Sequence, residues 1–208
     1  VVFDMYEIDR TVPLLSDMPT TSAVTYCDFM EHPIARTYDT IVGNPPYVRT
    51  TRGNLYIDFT EKCFRLLAPR GELVFVVPSD FFKLTCAAKL LDEMMRCGTF
   101  THIFHPHDEK MFANATIDVV VFRYCRACDG TASSGTATVL YNDVPMHIVN
   151  SHGLITFSAD DPHAHTDTFS DHFTICVGFV SGKEAVFKHA ALGNIDVLNG
   201  ENKLERYI

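Results

Sequence analysis

The feature that most constrains this chain is a short apolar strand at residues 40–42 that runs almost directly into Asn44-Pro45-Pro46-Tyr47. Proline lacks an N–H and forces the residue before it out of the helical region, so two successive prolines give a stiff, extended loop. Such a loop presents hydrogen-bond acceptors without donors. Here the acceptors are the Asn44 side-chain oxygen and the Pro45 carbonyl oxygen, next to the Tyr47 ring. The pattern favours a pocket for a flat group that carries an NH2.

Two further predicted strands precede this loop, and each has an acidic residue at or just after its carboxyl end. Residues 1–8 are apolar enough for a buried strand and end near Glu7, and residues 23–26 form a second strand that leads into Asp28. Ligands of open parallel α/β sheets bind at the carboxyl ends of the strands. We therefore expect Glu7, Asp28 and Asn44 to lie at one edge of one sheet.

The following residues alternate between helical and strand-like patterns, which indicates an α/β fold. The predicted elements are a helix over residues 57–68 ended by Pro69-Arg70-Gly71, a strand over 73–77, a helix over 84–95 stopped by Gly98, a strand near 103–104 and a strand over 117–122. The last two strands are joined without a helix.

The chain changes character after residue 126. Residues 127–138 are rich in Gly, Ala, Ser and Thr, which is typical of a linker or exposed loop. Residues 1–126 carry 13 Lys/Arg against 16 Asp/Glu, and residues 127–208 carry 4 against 10. We expect a domain boundary at residues 127–138 and a smaller, β-rich region over 139–208 with a strand at 173–180.

Five features stand in an order that resembles the gamma-type N6-adenine DNA methyltransferases, the Taq-like and Eco57I-like restriction-modification methylases. They are the strand that ends at Glu7, then Cys27-Asp28-Phe29, then Asn44-Pro45-Pro46-Tyr47, then the strand that ends at Pro78, then Met111-Phe112-Ala113-Asn114 before Val119–Phe122. Asn-Pro-Pro-Tyr alone is shared with other methyltransferases, but five features in family order are far more specific.

The resemblance implies a Rossmann-like, S-adenosylmethionine-dependent methyltransferase sheet, present in part over residues 1–126. It also implies that residues 139–208 begin a target-recognition region. By this resemblance the cofactor is S-adenosylmethionine: Glu7 would accept hydrogen bonds from its ribose hydroxyls, Asp28 would accept from its adenine amino group, and Phe29 would pack on that adenine.

The resemblance assigns the substrate pocket to the proline loop. The amino group of adenine is a poor nucleophile because its lone pair is delocalised into the ring. Hydrogen bonds to the Asn44 oxygen and the Pro45 carbonyl in the Pro45-Pro46 loop would localise that lone pair where charge develops. Tyr47 would stack on the base and Phe112 would hold its other side. The base must leave the duplex to reach such a pocket.

The expected partner is therefore double-stranded DNA with a flipped adenine, and the expected setting is a restriction-modification system with an associated restriction endonuclease. No apolar run has the length of a membrane span and no signal segment opens the chain, so we expect a cytoplasmic protein without membrane contact. Methyl transfer needs no metal. Cys125 and Cys128 lack a second cysteine pair, and His105 and His107 are interpreted as solvated, so no metal site is expected.

Three alternative functions are compatible with the same sequence. A protein glutamine-N5 methyltransferase uses the same Asn-Pro-Pro-Tyr loop, because an amide NH2 poses the same chemical problem. An RNA adenine or guanine methyltransferase is a second alternative, and an inactive DNA-binding specificity fragment is a third. The protein-directed enzymes usually end soon after the last strand of the sheet, whereas this chain continues for 82 residues beyond Arg126. Its length therefore favours the DNA methyltransferase.

The glycine-containing strand and turn that holds the methionine part of the cofactor in this family is expected upstream of Glu7 and is absent from the sequence. The chain starts with Val1 in mid-strand, so we interpret it as a piece of a longer protein.

We expect the 208-residue chain alone to lack methyltransferase activity, because it lacks the main cradle for the cofactor. A tritium-transfer assay with S-adenosylmethionine and duplex DNA measures this. Robust turnover would contradict the expectation.

Overall fold

The computed structural model describes residues 2–12, 22–50, 53–108, 117–128, 137–160, 195–198 and 204–207. The chain divides into two compact units, Val1–Ala164 and His165–Ile208. In the second unit, the described residues form an antiparallel pair of strands, Ile195–Leu198 with Leu204–Tyr207.

In the first unit the described residues form strands, two α-helices and a 3₁₀ helix at Ser79–Lys83. The strands are β1 (Asp4–Glu7), β2 (Ala23–Tyr26), β3 (Tyr38–Gly43), β4 (Arg49–Thr50), β5 (Gly53–Asn54), β6 (Leu67–Pro78), β7 (Gly98–Phe104), β8 (Val119–Arg126), β9 (Thr138–Tyr141), β10 (Val144–Ser151) and β11 (Leu154–Ser158). The helices are α1 (Leu55–Arg65) and α2 (Ala88–Cys97). Among the described residues, neither helix has the length and apolar character needed to cross a membrane.

The main sheet has seven strands in the order β11-β10-β9-β7-β8-β6-β3. Strand β3 pairs in parallel with β6, β9 pairs in parallel with β7, and β8 lies antiparallel between β6 and β7. The carboxyl ends of β3, β6, β7 and β9 therefore share one edge of the sheet. This mixed sheet, with helices between its parallel strands, confirms the expected α/β, Rossmann-like class.

Strands β1 and β2 pair in parallel with each other in a separate two-stranded sheet. The prediction that all three early strands belong to one sheet is therefore wrong: among the described residues, no ladder joins β1 to β3. Their side chains are connected instead. The Tyr6 hydroxyl lies 2.7 Å from the Tyr38 hydroxyl, which donates to Asp4 at 3.0 Å, and Arg36 pairs with the same carboxylate.

The hydrophobic core lies on one face of the main sheet. Leu73, Phe75 and Val77 alternate along β6 and are buried, as are Phe122 and Tyr124 on β8. Side chains from α1, α2 and the 3₁₀ helix complete the same cluster. This alternation follows from the strand period of two, which sends every second side chain to the same face.

Helix α1 ends earlier than the sequence predicts. It stops at Arg65 rather than at the Pro69-Arg70-Gly71 turn, and β6 has already begun at Leu67. The Leu66 carbonyl accepts from the Tyr38 N–H at 2.8 Å, so pairing with β3 takes over from the helix. Residues 69–71 instead form an irregular part of the β3–β6 ladder, where Arg70 has a φ of 65°.

The division between compact units lies between Ala164 and His165, and the domain boundary at residues 127–138 stays a prediction. Strand β9 joins the main sheet beside β7, and the first unit continues to Ala164. Gly153, in the β10–β11 turn, has a φ of 84°, and an added Cβ would lie 1.8 Å from the Ala88 carbonyl, so only glycine lets this turn contact α2. Residues 129–136 and the predicted strand at 173–180 lie outside the described residues.

Phe122 is at the centre of the aromatic core. Its ring centroid lies between 5.4 and 6.2 Å from the ring centroids of Phe75, Phe81, Phe82 and Phe100. Because its side chain is fully buried, Phe122→Ala is expected to lower the free energy of unfolding by about 3–5 kcal/mol, measured by urea denaturation.

Phe104→Ala is the matched control for this change. Phe104 lies on the neighbouring strand with 56% of its surface exposed, so its removal is expected to cost less than about 1 kcal/mol. Equal losses from the two variants would contradict this description of the core.

Candidate active site at the strand ends

The proline loop follows β3 directly and lies against the end of β6. Gly43 permits this approach, since an added Cβ would lie 2.9 Å from the Phe75 ring. Pro45 is buried while Asn44 and Pro46 are exposed, so the loop is anchored by Pro45 and presents the Asn44 amide outward. The Val48 N–H donates to the Pro46 carbonyl at 3.0 Å and closes the loop.

The Tyr47 hydroxyl fixes the Asn44 side chain. It lies 2.8 Å from Asn44 Oδ1 and 3.0 Å from the Val76 carbonyl oxygen, so its single proton is shared between two acceptors. An amide oxygen has two lone pairs, which leaves one on Asn44 for an incoming N–H. The sequence placed these residues together, and the structure adds that Tyr47 orients the amide.

The Tyr47 ring is half-buried and packs edge-on against Tyr56 of α1, with 5.9 Å between ring centroids. Burial raises the pKa of Tyr47 to about 12. The phenol therefore stays protonated, and remains a hydrogen-bond donor, throughout the neutral range.

Glu7 closes a turn at the end of β1. Its Oε1 accepts from the backbone N–H groups of Ile8 and Asp9, both at 2.9 Å. No hydrogen bond to the described residues engages its other carboxylate oxygen. Glu7 can therefore accept from a further donor while its backbone turn holds it in place.

Asp28 has a similar arrangement at the end of β2. Its Oδ1 accepts from the Met30 N–H at 2.8 Å, and its backbone carbonyl accepts from the His32 N–H at 2.9 Å. The Phe29 ring lies nearly parallel to Phe59 of α1, with 5.2 Å between centroids. The turn is therefore held by its own backbone bonds and by α1.

The structure brings together only part of the predicted site. Glu7 and Asp28 follow adjacent parallel strands, whereas Asn44 follows a strand of the other sheet. None of the hydrogen bonds among the described residues joins Glu7 or Asp28 to Asn44. Phe112 lies outside the described residues.

A second polar cluster, centred on His105, occupies the same edge of the main sheet, and sequence reasoning missed it. The interpretation of His105 as solvated is wrong, because its side chain is only 12% exposed. Its Nε2 lies 2.8 Å from Asp118 Oδ1 and its Nδ1 lies 2.6 Å from the Tyr141 hydroxyl. A hydrogen bond from Ser79, which has the larger effect, and one from His105 hold the pKa of Asp118 below its ordinary value.

The sequence signal for this cluster was position, since His105 follows the predicted strand near 103–104 and Asp118 lies at the start of the predicted strand over 117–122. The described residues include no group of His, Cys, Asp and Glu arranged to hold a metal ion.

The family of Eco57I restriction-modification methylases matches residues 20–112, which include Asp28, Phe29 and the proline loop. This part of the chain is therefore similar to restriction-modification methylases, which confirms the resemblance given by the sequence motifs.

Individual relatives agree with this family. The chain is 31% identical over 104 residues to the type II methyltransferase M.XhoI of Xanthomonas vasicola, which covers 41% of this chain and 19% of that protein. It is 29% identical over 152 residues to the type II methyltransferase M.TthHB8I of Thermus thermophilus, which covers 61% of this chain and 34% of that protein. The chain thus spans about a third or less of the length of these relatives.

A solved structure from Listeria monocytogenes, described as a class I S-adenosylmethionine-dependent methyltransferase, aligns over 59% of this chain and 42% of its own. The TM-score is 0.48 and the sequence identity 14%.

Tyr47→Phe is expected to lower the free energy of unfolding by about 0.5–1.5 kcal/mol, because it removes the hydroxyl that bonds the loop to Val76. Tyr26→Phe is the matched control, since its hydroxyl bonds to none of the described residues. Urea denaturation of both variants measures the difference, and equal stabilities would show that the Tyr47 hydroxyl does not anchor the loop.

Proposed function

We propose that the intact protein is a DNA methyltransferase that transfers a methyl group from S-adenosylmethionine to N6 of adenine in a restriction-modification system. The observation that carries this proposal is the exposed Asn44 amide held by Tyr47 on an anchored proline loop. The family match over residues 20–112 supports a restriction-modification methylase.

The loop offers two acceptors to a planar amino group. The free lone pair of Asn44 Oδ1 and the Pro45 carbonyl oxygen would each accept one N–H of the adenine NH2. Both bonds strengthen as positive charge develops on N6, so they stabilise the transition state more than the ground state. The bond between the methyl group and the cofactor sulfur would break as the bond to N6 forms, and N6 would then release one proton to solvent.

Tyr47 has two roles in this proposal. Its hydroxyl orients the Asn44 amide, and its ring provides the face on which the flipped base stacks. A base–aromatic stack contributes roughly 1–3 kcal/mol. Phe112 is proposed to contact the other side of the base.

The groups at the ends of β1 and β2 suit the binding of the methyl donor. S-adenosylmethionine supplies the methyl group as an electrophile. The unengaged oxygens of Glu7 and Asp28 fit its ribose diol and its adenine amino group, and Phe29 would pack on the adenine ring. These residues bind and orient the cofactor and take no part in proton transfer.

The proposed partner is double-stranded DNA from which the target adenine is flipped, with a restriction endonuclease as the associated enzyme. We propose that residues 1–126 are catalytic and that residues 139–208 open the target-recognition region. In this arrangement β9, β10 and β11 extend the main sheet from the catalytic part.

Asn44→Ala in the intact protein is expected to lower kcat by at least roughly 100-fold, because one of two preorganised acceptors is lost. The dissociation constant for S-adenosylmethionine should stay within about twofold, because Asn44 bonds to neither Glu7 nor Asp28. Single-turnover transfer to duplex DNA and equilibrium cofactor binding measure the two effects separately.

Asn54→Ala is the matched control, since the Asn54 side chain makes no capping hydrogen bond at the start of α1. Equal loss of transfer and of cofactor binding in Asn44→Ala would show that its proposed role is wrong.

A further inference from the structure

Lys62, in the last turn of α1, is bonded to the turn that follows β2. Its ammonium donates to the backbone carbonyl oxygens of Phe29, of Met30 at 3.1 Å and of His32 at 2.8 Å. An ammonium has three N–H donors, so each donor has one acceptor. The same nitrogen lies 4.7 Å from the centroid of the Phe29 ring.

One peptide group connects Lys62 to Asp28. The carbonyl oxygen of the Phe29–Met30 peptide accepts from Lys62, and the N–H of the same peptide donates to Asp28 Oδ1 at 2.8 Å. The peptide dipole thus lies between a cation at its oxygen and a carboxylate at its N–H, which stabilises both contacts. Lys62 therefore fixes the orientation of the Phe29–Met30 peptide plane, whose N–H holds the Asp28 side chain.

This arrangement determines which carboxylate oxygen of Asp28 remains available to accept a hydrogen bond from a ligand. Oδ1 is bonded to the Met30 N–H, and no hydrogen bond to the described residues engages Oδ2. The Asp28 side chain itself is exposed. Oδ2 is thus an acceptor held at a defined position by a network that begins at Lys62.

Lys62 differs from an ordinary surface lysine. It is partly buried, and its ammonium is directed to three backbone carbonyls while no carboxylate of the described residues forms an ion pair with it. A lysine in the last turn of a helix also stabilises the helix dipole, but that needs no contact with a distant turn.

We propose that Lys62 is a positioning residue for cofactor binding: it sets the Phe29–Met30 peptide so that Asp28 Oδ2 accepts from the adenine amino group of S-adenosylmethionine. This rests on the proposed function. Lys62 itself does not touch the reacting atoms.

The test compares Lys62→Met and Lys62→Arg in the full-length protein. Methionine keeps most of the apolar stem and removes the ammonium, whereas arginine keeps the charge and several donors. The dissociation constants of S-adenosylmethionine and of adenosine are measured by calorimetry, together with kcat at saturating cofactor and the melting temperature.

Lys62→Met is expected to weaken both ligands by a similar factor of roughly ten, which is the size of one partly lost charge-assisted hydrogen bond. Adenosine should be affected as strongly as the cofactor, because Asp28 is proposed to contact only the adenine. At saturating cofactor, kcat should stay within about twofold, and Lys62→Arg should recover most of the affinity. Lys89→Met, which removes an exposed lysine of α2, is the control and should change neither constant.

A folded Lys62→Met protein with unchanged dissociation constants would overturn the inference, as would a loss of kcat without a loss of affinity. If Lys62→Met does not fold, Lys62→Gln takes its place. A Lys62→Gln protein that binds S-adenosylmethionine and adenosine as tightly as Lys62→Arg would then overturn the inference. Failure of the wild-type protein to bind S-adenosylmethionine would overturn the proposed function and this inference with it. Wild-type binding with an unaffected Lys62 variant would overturn this inference alone.

Discussion

The contact of helix α1 with two separate strand ends is the constraint on which the candidate site depends. Tyr56, Phe59 and Lys62 are spaced three residues apart, so each neighbours the next on the helix surface. Tyr56 contacts Tyr47 in the proline loop, while Phe59 and Lys62 contact the turn at Phe29. The rise of an α-helix sets about 9 Å between the first and last of these residues. A rigid helix therefore relates the proposed substrate and cofactor sites, although their strands belong to different sheets.

The helix can act in this way because it is also packed firmly against the core. Cys63 and Phe64 are buried in the core that covers β6 and β8, and Phe64 packs edge-on against Tyr124. The two sheets are further connected by the hydrogen bonds from Tyr6 through Tyr38 to Asp4. Burial and these bonds raise the pKa of Tyr38, so the phenol remains a donor at neutral pH.

Sequence reasoning predicted the elements of this fold better than their arrangement. An unbroken apolar run located β6, apolar residues at helical spacing located α2, and the strand before Asn44 was found within two residues. It did not place β9 beside β7, because pairing between distant strands leaves no local periodicity. For the same reason it missed the contact between His105, which follows β7, and Asp118, which precedes β8. This contact lies outside the predicted site.

The sequence by itself determined the stiff proline loop, because the restrictions that proline imposes are covalent and local. It also determined the order of the acidic and aromatic residues that resembles restriction-modification methylases. Only the tertiary structure decided how these groups are held. Tyr47 bonds to Val76, 29 residues away, and Lys62 bonds to the carbonyls of Phe29 and Met30, more than 30 residues away. Such contacts arise when the proline loop packs on β6 and α1 packs on the turn after β2, and their partners cannot be identified from local residue spacing.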